Sequence, residues 1–275
     1  MPLKPLSKIA DRGMAEKVGS LLENLKAMGS VVVALSGGVD SAVLLAAAAE
    51  ACGRVLAVTA SSPIHPRREV EMARNIAEAA GCEHMIMKSG ELKNPDFTAN
   101  PLERCYLCKL ALFRGLKLLA ETRGFDAVVE GSNVDDLSDF RPGEKALVEL
   151  GIASPLRQAD LGKAEIRRLA EWAGLPNASA PSSACLATRF PHGLEITADA
   201  LSRVERLEDT LMDMGFRQVR VRYHKHLARI EVEPESVGRF ADPKVRDRIV
   251  QAARREGFRY VTLDLQGYRR GSLNP

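Results

Sequence analysis

The sequence lacks the features that would place the protein in several common classes. It has no long run of apolar residues, so no membrane-spanning helix is expected. Residues 1–6 lack the apolar core of a secretion signal, and we expect a cytoplasmic protein without a membrane partner. Neither the ordinary P-loop, Gly-x-x-x-x-Gly-Lys, nor the dinucleotide fingerprint, Gly-x-Gly-x-x-Gly, is present. These absences argue against a membrane protein and against two common nucleotide-binding motifs.

The composition is that of an ordinary globular protein, but its charge is unevenly distributed. Apolar residues make up 45% and charged residues 27% of the 275 residues. Residues 201–275 contain 16 Lys and Arg against 11 Asp and Glu, whereas residues 1–200 contain 23 against 25. The basic C-terminal part is compatible with an anionic substrate, with nucleic acid or with a solvated surface. Because basic residues are not interleaved with aromatic ones, we do not expect a nucleic acid partner.

Residues 36–41, Ser-Gly-Gly-Val-Asp-Ser, form the most informative motif of the chain. The apolar stretch at 31–35 predicts a buried parallel strand, and the alanine-rich stretch at 42–49 predicts a helix. A strand that turns through Gly37 and Gly38 into a helix directs backbone N–H groups at an anion. Ser36 and Ser41 add hydroxyl donors. Asp40 would repel a phosphate unless a cation intervened, so the motif predicts a phosphorylated ligand with Mg²⁺.

Alternating strand and helix patterns predict an α/β fold with a doubly wound parallel sheet. In such sheets ligands bind beyond the carboxyl ends of the strands, where Thr59 and Asn133 are found. The patterns near the C-terminus predict a smaller α+β domain that binds substrate or self-associates, so a homo-oligomer is expected. We therefore expect a nucleotide domain over residues 1–180, a linker over 181–196 and the α+β domain over 197–275.

Three of the five cysteines are candidates for chemistry. Cys52 and Cys82 lie beside glycines at predicted helix ends, where small packing residues are common. Cys105 and Cys108 have Cys-x-x-Cys spacing at the start of a predicted helix, and Cys185 lies in the expected linker. Three thiolates suit a [4Fe–4S] cluster with one open iron, a zinc site completed by His192, or a redox dithiol. Spacing alone leaves these three interpretations open.

Two family resemblances extend this interpretation. The motif at 36–41 resembles the loop of the ATP pyrophosphatases, or PP-loop family, which cleave ATP to AMP and pyrophosphate. The blocks at 140–143, 184–193, 219–224 and 260–265 resemble the LarE family, and the similarity covers nearly the whole chain. LarE proteins are ATP-dependent sulfur transferases that help to build the nickel-pincer nucleotide cofactor. The resemblance implies that the carboxylate of an anionic pyridinium mononucleotide is adenylated and converted to a thiocarboxylate.

The resemblance also implies roles for individual residues. Arg220 and Arg222 match residues associated with the substrate phosphate, and their alternation with valines predicts two exposed guanidinium groups on one face of a strand. Cys185 matches the cysteine that gives up its sulfur in the single-cysteine branch of the family. The residues expected to bind ATP and Mg²⁺ are Ser36, Gly37, Gly38, Asp40 and Ser41. Further functional positions are Lys109, Arg189 and Asp264, of which Lys109 is expected to be catalytic together with Asp40.

The chain departs from the single-cysteine branch at Cys105 and Cys108. This agrees with a second branch in which Cys105, Cys108 and Cys185 hold a [4Fe–4S] cluster that carries an extra sulfide from a sulfide donor. The main alternative is a PP-loop enzyme that thiolates tRNA, since such enzymes also combine Cys-x-x-Cys with a third cysteine. A module that binds ATP or AMP without chemistry is the third interpretation, although it leaves the three cysteines unexplained.

Overall fold

The computed structural model describes residues 3–138, 142–182 and 184–269, with the side chains of residues 137 and 138 left aside. Residues 140 and 141 of the block at 140–143 therefore lie outside the described residues. The chain divides into two compact units. The first unit comprises Met1–Ser89 and Glu103–Ala180, and the second comprises Gly90–Leu102 and Pro181–Pro275.

Seven strands lie in the described part of the chain, four in the first unit and three in the second. They are β1 (Ser30–Ala34), β2 (Arg54–Ser61), β3 (Glu83–Lys88), β4 (Ala127–Val129), β5 (Val219–His224), β6 (Leu227–Val232) and β7 (Tyr260–Leu263).

The same residues contain ten α-helices. They are α1 (Arg12–Ala27), α2 (Val39–Ala51), α3 (Arg67–Ala79), α4 (Pro95–Thr98), α5 (Arg104–Arg123), α6 (Gly143–Leu150), α7 (Pro155–Gln158), α8 (Lys163–Ala173), α9 (Ala198–Asp213) and α10 (Pro243–Arg255). Each of these helices is too short or too polar to cross a lipid bilayer.

The first unit is built on a parallel sheet with the strand order β3-β2-β1-β4. Residues 31–33 of β1 are fully buried, and α2 is buried along nearly its whole length, which explains why both segments are almost entirely apolar. The chain moves from β1 outward to β3 and then returns to the other side of β1 as β4. This reversal creates a topological switch point beyond the carboxyl ends of β1 and β4. The predicted doubly wound α/β fold is confirmed.

The second unit contains a small mixed sheet with α9 and α10. β5 pairs antiparallel with β6, and β6 pairs parallel with β7, which confirms a separate small α+β element near the C-terminus. The segment Gly90–Leu102 joins this unit through backbone bonds such as Ile196 N to Thr98 O and Gly193 N to Asn100 O, both 2.9 Å.

Residues 181–196, which we expected to be a linker, belong to the second unit. A short 3₁₀ helix, Leu186–Arg189, follows Cys185, and Leu186, Ala187 and Phe190 are buried. The residues that follow Cys185 are therefore part of the packed second unit.

Candidate functional site

The glycines of residues 36–41 meet a strict steric requirement. Gly37 has φ +84°, and a Cβ atom there would lie 2.4 Å from the backbone oxygen of Glu69. Gly38 is the N-cap of α2 in an extended conformation. Since a side chain at position 37 would be strained and would also collide with backbone, the motif tolerates only glycine there.

The two serines of the loop close a small ring of hydrogen bonds. Ser36 Oγ lies 3.1 Å from Ser41 Oγ, and Ser41 Oγ donates to Gly38 O at 3.0 Å. The amide of Gly38 donates to Ser36 Oγ at 3.3 Å. A Cβ on Gly131 would lie 2.9 Å from Ser41 N, so the strand end after β4 comes very close to the start of α2. Two hydroxyl groups and one backbone amide are thus linked to one another at the switch between β1 and β4.

Asp40 forms an ion pair with Lys163, the first residue of α8. The backbone N–H of Lys163 also donates to Asp135 Oδ2 at 2.6 Å. Lys163 therefore connects the loop aspartate to the acidic turn that follows β4. Sequence reasoning missed Lys163, because no local motif distinguishes a lysine at this helix start from a solvated one.

The turn after β4 presents a buried amide and two carboxylates. Asn133 is 1% exposed. Its backbone N–H donates to Asp136 Oδ2 at 3.1 Å, and its side-chain Oδ1 accepts from Asp135 N at 3.0 Å. Asn133 Nδ2 is buried without a hydrogen-bond partner among the described residues. Carboxylate oxygens are the ligands that Mg²⁺ prefers, and a buried amide donor suits a phosphate oxygen or a base. The turn has the chemistry expected of a Mg²⁺-nucleotide site.

Thr59 lies in β2 and Lys109 lies in α5, both in the first unit. The Thr59 hydroxyl donates to Leu35 O at 2.8 Å and is 2.9 Å from His84 Nε2. Lys109 Nζ lies 4.0 Å from Glu130 Oε2, and Glu130 is buried just after β4. Glu130 also accepts hydrogen bonds from Ser132 and Ser154. Glu130 is thus a fixed negative partner for the predicted catalytic lysine, and the roles of Thr59 and Lys109 stay predictions.

Two of the three candidate cysteines lie in the first two turns of a helix. Cys105 and Cys108 are half-buried and lie three residues apart at the start of α5, so they face the same side of that helix. Cys185, also half-buried, lies in the other unit. In the parts of the chain that the structure describes, no three histidine, cysteine, aspartate or glutamate side chains are grouped so that they could hold a metal ion.

The remaining two cysteines have structural surroundings. Cys52 Sγ donates to Leu25 O at 3.3 Å. Burial raises the pKa of the Cys82 thiol to about 11, so this side chain stays protonated and unreactive near neutral pH. Both contrast with Cys105 and Cys108, which lie at a helix start.

Cys185 lies in a segment whose backbone carbonyls are held by three buried arginines. Arg189 donates from Nη1 to Ala184 O and Cys185 O, at 2.8 and 3.1 Å, and it forms a bidentate ion pair with Glu208. Arg220 donates to Ser182 O at 2.8 Å and Arg222 donates to Thr188 O at 2.9 Å. The structure thus brings the three arginines that the sequence singled out to one short segment around Cys185.

The prediction that Arg220 and Arg222 are exposed is wrong. They are 7% and 5% exposed, and their guanidinium groups donate to the backbone oxygens of Ser182 and Thr188 on the face of β5 opposite its valines. Arg222 pairs with the fully buried Glu231, which also pairs with Arg229, and Asp264 Oδ2 lies 3.9 Å from Arg229 Nε. Arg220 forms no ion pair with any described carboxylate, and burial lowers its pKa to about 10.

The fold and the loop at the β1–β4 switch define an α/β enzyme of the ATP pyrophosphatase type. In agreement, residues 30–100 match the model of the family described as queuosine biosynthesis protein QueC. The chain is 42% identical to an uncharacterised protein of Synechocystis over 93% of this chain and 97% of that one. It is 36% identical to the pyridinium-3,5-bisthiocarboxylic acid mononucleotide synthase of Lactiplantibacillus plantarum over 95% of both chains. An uncharacterised protein of Methanocaldococcus jannaschii is 31% identical over 87% of this chain and 90% of that one.

These relatives extend along almost the whole length of the chain. The protein belongs to the LarE family of ATP-dependent sulfur transferases.

Proposed function

We propose that the protein converts a carboxylate of a pyridinium mononucleotide into a thiocarboxylate at the expense of ATP, as a step towards a nickel-pincer nucleotide. The observation that carries the proposal is the 36% identity, over 95% of both chains, with a pyridinium-3,5-bisthiocarboxylic acid mononucleotide synthase. The glycine turn at the start of α2, with its linked hydroxyl groups and backbone amide, supports ATP as the activating substrate.

In the proposed reaction, a substrate carboxylate oxygen attacks the α-phosphorus of ATP, and the bond to the bridging oxygen breaks to release pyrophosphate. A sulfur nucleophile then attacks the acyl carbon, and AMP leaves with the former carboxylate oxygen. Ser36, Gly38 and Ser41 would donate to the departing pyrophosphate, whose negative charge grows as the bond breaks. Asp40 and Asp136 would hold the Mg²⁺ ion that neutralises this charge.

Lys109 of the first unit and the buried arginines of the second unit have separate proposed roles. Lys109, oriented by Glu130, is a cation suited to the acyl-phosphate oxygens. Arg220 and Arg222 suit the phosphate of the mononucleotide, because Arg220 carries a buried charge that no described carboxylate pairs with. Arg189 would position Cys185 through its hydrogen bonds to the backbone carbonyls of Ala184 and Cys185.

The experiment that tests this function is a product analysis. Incubation with ATP, Mg²⁺, a sulfur source and pyridinium-3,5-biscarboxylic acid mononucleotide should yield AMP, pyrophosphate and a thiocarboxylate detected by mass spectrometry. Asp40→Asn should weaken Mg²⁺-ATP use, whereas Asp199→Asn, a change at an 80% exposed side chain, should not. Release of ADP would reject the reaction class, and thiolation of tRNA in place of the mononucleotide would favour the alternative sulfur transferase.

We also propose that Cys105, Cys108 and Cys185 hold a [4Fe–4S] cluster, whose open iron would carry the sulfide to be transferred. Support comes from the Cys-x-x-Cys pair on one helix face and from the structural surroundings of Cys52 and Cys82. The three residues are not grouped as a ligand set in the described structure, so the steps above do not depend on the cluster.

The cluster has its own test. Anaerobic reconstitution with iron and sulfide should give a brown protein with about four irons per chain. Changing Cys105, Cys108 or Cys185 to Ala should abolish the iron and multiple turnover together, whereas Cys52→Ala should leave both intact. Loss of one sulfur from Cys185 during a single turnover without iron would instead establish sacrificial transfer. Assembly into a homo-oligomer and a cytoplasmic location are further proposals, which light scattering and cell fractionation test.

A further inference from the structure

A buried asparagine contacts the nucleotide loop from the side of α8. Asn177, which follows the end of α8, is 2% exposed, and its Nδ2 donates to Gly37 O at 2.9 Å. Its Oδ1 has no hydrogen-bond partner among the described residues. A buried side-chain amide whose oxygen has no hydrogen-bond partner destabilises the folded protein. The residue is therefore poorly explained by its contribution to stability alone.

The contact determines the direction of one loop amide. In a trans peptide the carbonyl of one residue and the N–H of the next point in opposite directions, and the described chain has no cis peptide bonds. Since Gly37 O faces Asn177, the N–H of Gly38 must face away from it. That N–H reaches Ser36 Oγ, inside the ring of hydroxyl groups where an anion would bind.

Glycine on its own would leave this peptide free to rotate. The backbone of Glu69 lies close to the Cα atom of Gly37, and the Asn177 side chain holds the carbonyl oxygen of the Gly37–Gly38 peptide. Asn177 is in turn held by a rigid support, because Ile166 and Leu169 of α8 are fully buried in the core of the first unit. Its position relative to the loop is thus set before any ligand binds.

We propose that Asn177 is a positioning residue that fixes the Gly37–Gly38 peptide so that the Gly38 N–H is directed at the pyrophosphate portion of ATP. The inference rests on the proposed ATP-dependent function and names the residue that organises its phosphate loop. Asn177 acts through the loop backbone and makes no contact with the reacting atoms. Preorganised donors of this kind lose no free energy to reorientation when charge develops on the leaving group.

Two substitutions at Asn177 and one control test the proposal. Asn177→Leu keeps the side-chain size and removes the donor without adding charge, and Asn177→Ala removes the side chain. Arg167→Met is the matched control, because Arg167 donates to Ala178 O and Ala180 O in the same segment without contacting the loop. Calorimetry should measure the binding of Mg²⁺-pyrophosphate and, separately, of AMP to each protein.

Pyrophosphate should bind about tenfold more weakly to both Asn177 variants, the effect of one misdirected donor to a charged group, while AMP binding stays within about twofold. Arg167→Met should bind both ligands like the wild type. Normal pyrophosphate binding by Asn177→Leu would overturn the proposal. The proposal would also be overturned if Asn177→Leu and Arg167→Met both lost affinity for pyrophosphate and AMP to the same extent, because that result would indicate general disruption of the segment. If wild-type protein itself does not bind pyrophosphate, the proposed function fails instead.

Discussion

Replacing Arg189 by methionine should destabilise the second unit far more than an exposed arginine would. The Arg189 side chain is 2% exposed and that of its partner Glu208 is 5% exposed, with two parallel N–H···O bonds of 2.9 and 2.8 Å between them. Methionine keeps much of the apolar stem but removes every donor. The Glu208 carboxylate then stays buried and keeps the hydrogen bond that it accepts from the Val221 amide, at 2.7 Å.

The expected magnitude follows from the uncompensated carboxylate. Removing one member of a buried ion pair costs about 3–5 kcal/mol, because the other charge loses its partner without regaining water. Arg189→Met combined with Glu208→Gln should recover at least about 1 kcal/mol of this loss, since glutamine is neutral and its oxygen can still accept from Val221 N. Both variants lose the Arg189 hydrogen bonds to Ala184 O and Cys185 O. The difference in stability between the single and the double variant therefore measures the cost of the unpaired Glu208 charge alone.

Hydrogen exchange is the appropriate assay, because it reports on the two units separately. Tryptophan fluorescence would report on the wrong unit, because the single tryptophan, Trp172, lies in the first unit. Amides of β5 and β6 should exchange faster in Arg189→Met, and amides of β1 and β2 should be unchanged. A loss below about 1 kcal/mol in β5 would refute the reasoning, as would a double variant that is less stable than Arg189→Met alone.

Three further predictions follow from the first unit. Gly37→Ala should lower AMP formation by at least about tenfold, since its Cβ would collide with backbone at an unfavourable φ. Gly53→Ala is the control: no atom lies within 4 Å of its Cβ, so AMP formation should be unchanged. Lys163→Met should raise the KM for ATP about tenfold, because the triphosphate would meet Asp40 without the adjacent positive charge. Hydrogen bonds from the side chain and backbone of Ser30 lower the pKa of Asp126. The stabilisation that Asp126 provides is therefore fully present above the ordinary aspartate pKa of about 4, and it is lost as the pH falls through the lowered pKa of the folded protein. The difference in unfolding midpoint between wild type and Asp126→Asn should therefore shrink on acidification, and a constant difference would contradict the assignment.

The parallel sheet could be predicted from the sequence because its determinants are local. A buried strand such as β1 reads as a continuous apolar run, and each following helix carries its own end signals, such as the αL glycine at position 124 after α5. The predicted strand at 31–35 and the observed Ser30–Ala34 differ by one residue at each end. The nucleotide loop was equally accessible, because its glycines, hydroxyls and aspartate occur within six consecutive residues.

Contacts between residues far apart in the sequence could not be predicted in this way. Lys163 and Asn177 act on the loop from more than a hundred residues away, and neither lies in a motif of its own. The segment Gly90–Leu102 joins the second unit through bonds to residues 190–196, which no local pattern indicates.

The burial of Arg220 and Arg222 shows the limit of strand periodicity. Alternation with Val219 and Val221 correctly assigns the arginines to one face of β5, but it cannot tell whether that face meets water or another segment. Here Ser182 and Thr188 lie against it, and their carbonyls accept hydrogen bonds from the two guanidinium groups. Because these charges are desolvated before any substrate arrives, an incoming phosphate would compete with backbone carbonyls rather than with water. In the proposed phosphate-binding role, the affinity of Arg220 and Arg222 for an anion would therefore depend on the position of the segment that carries Cys185.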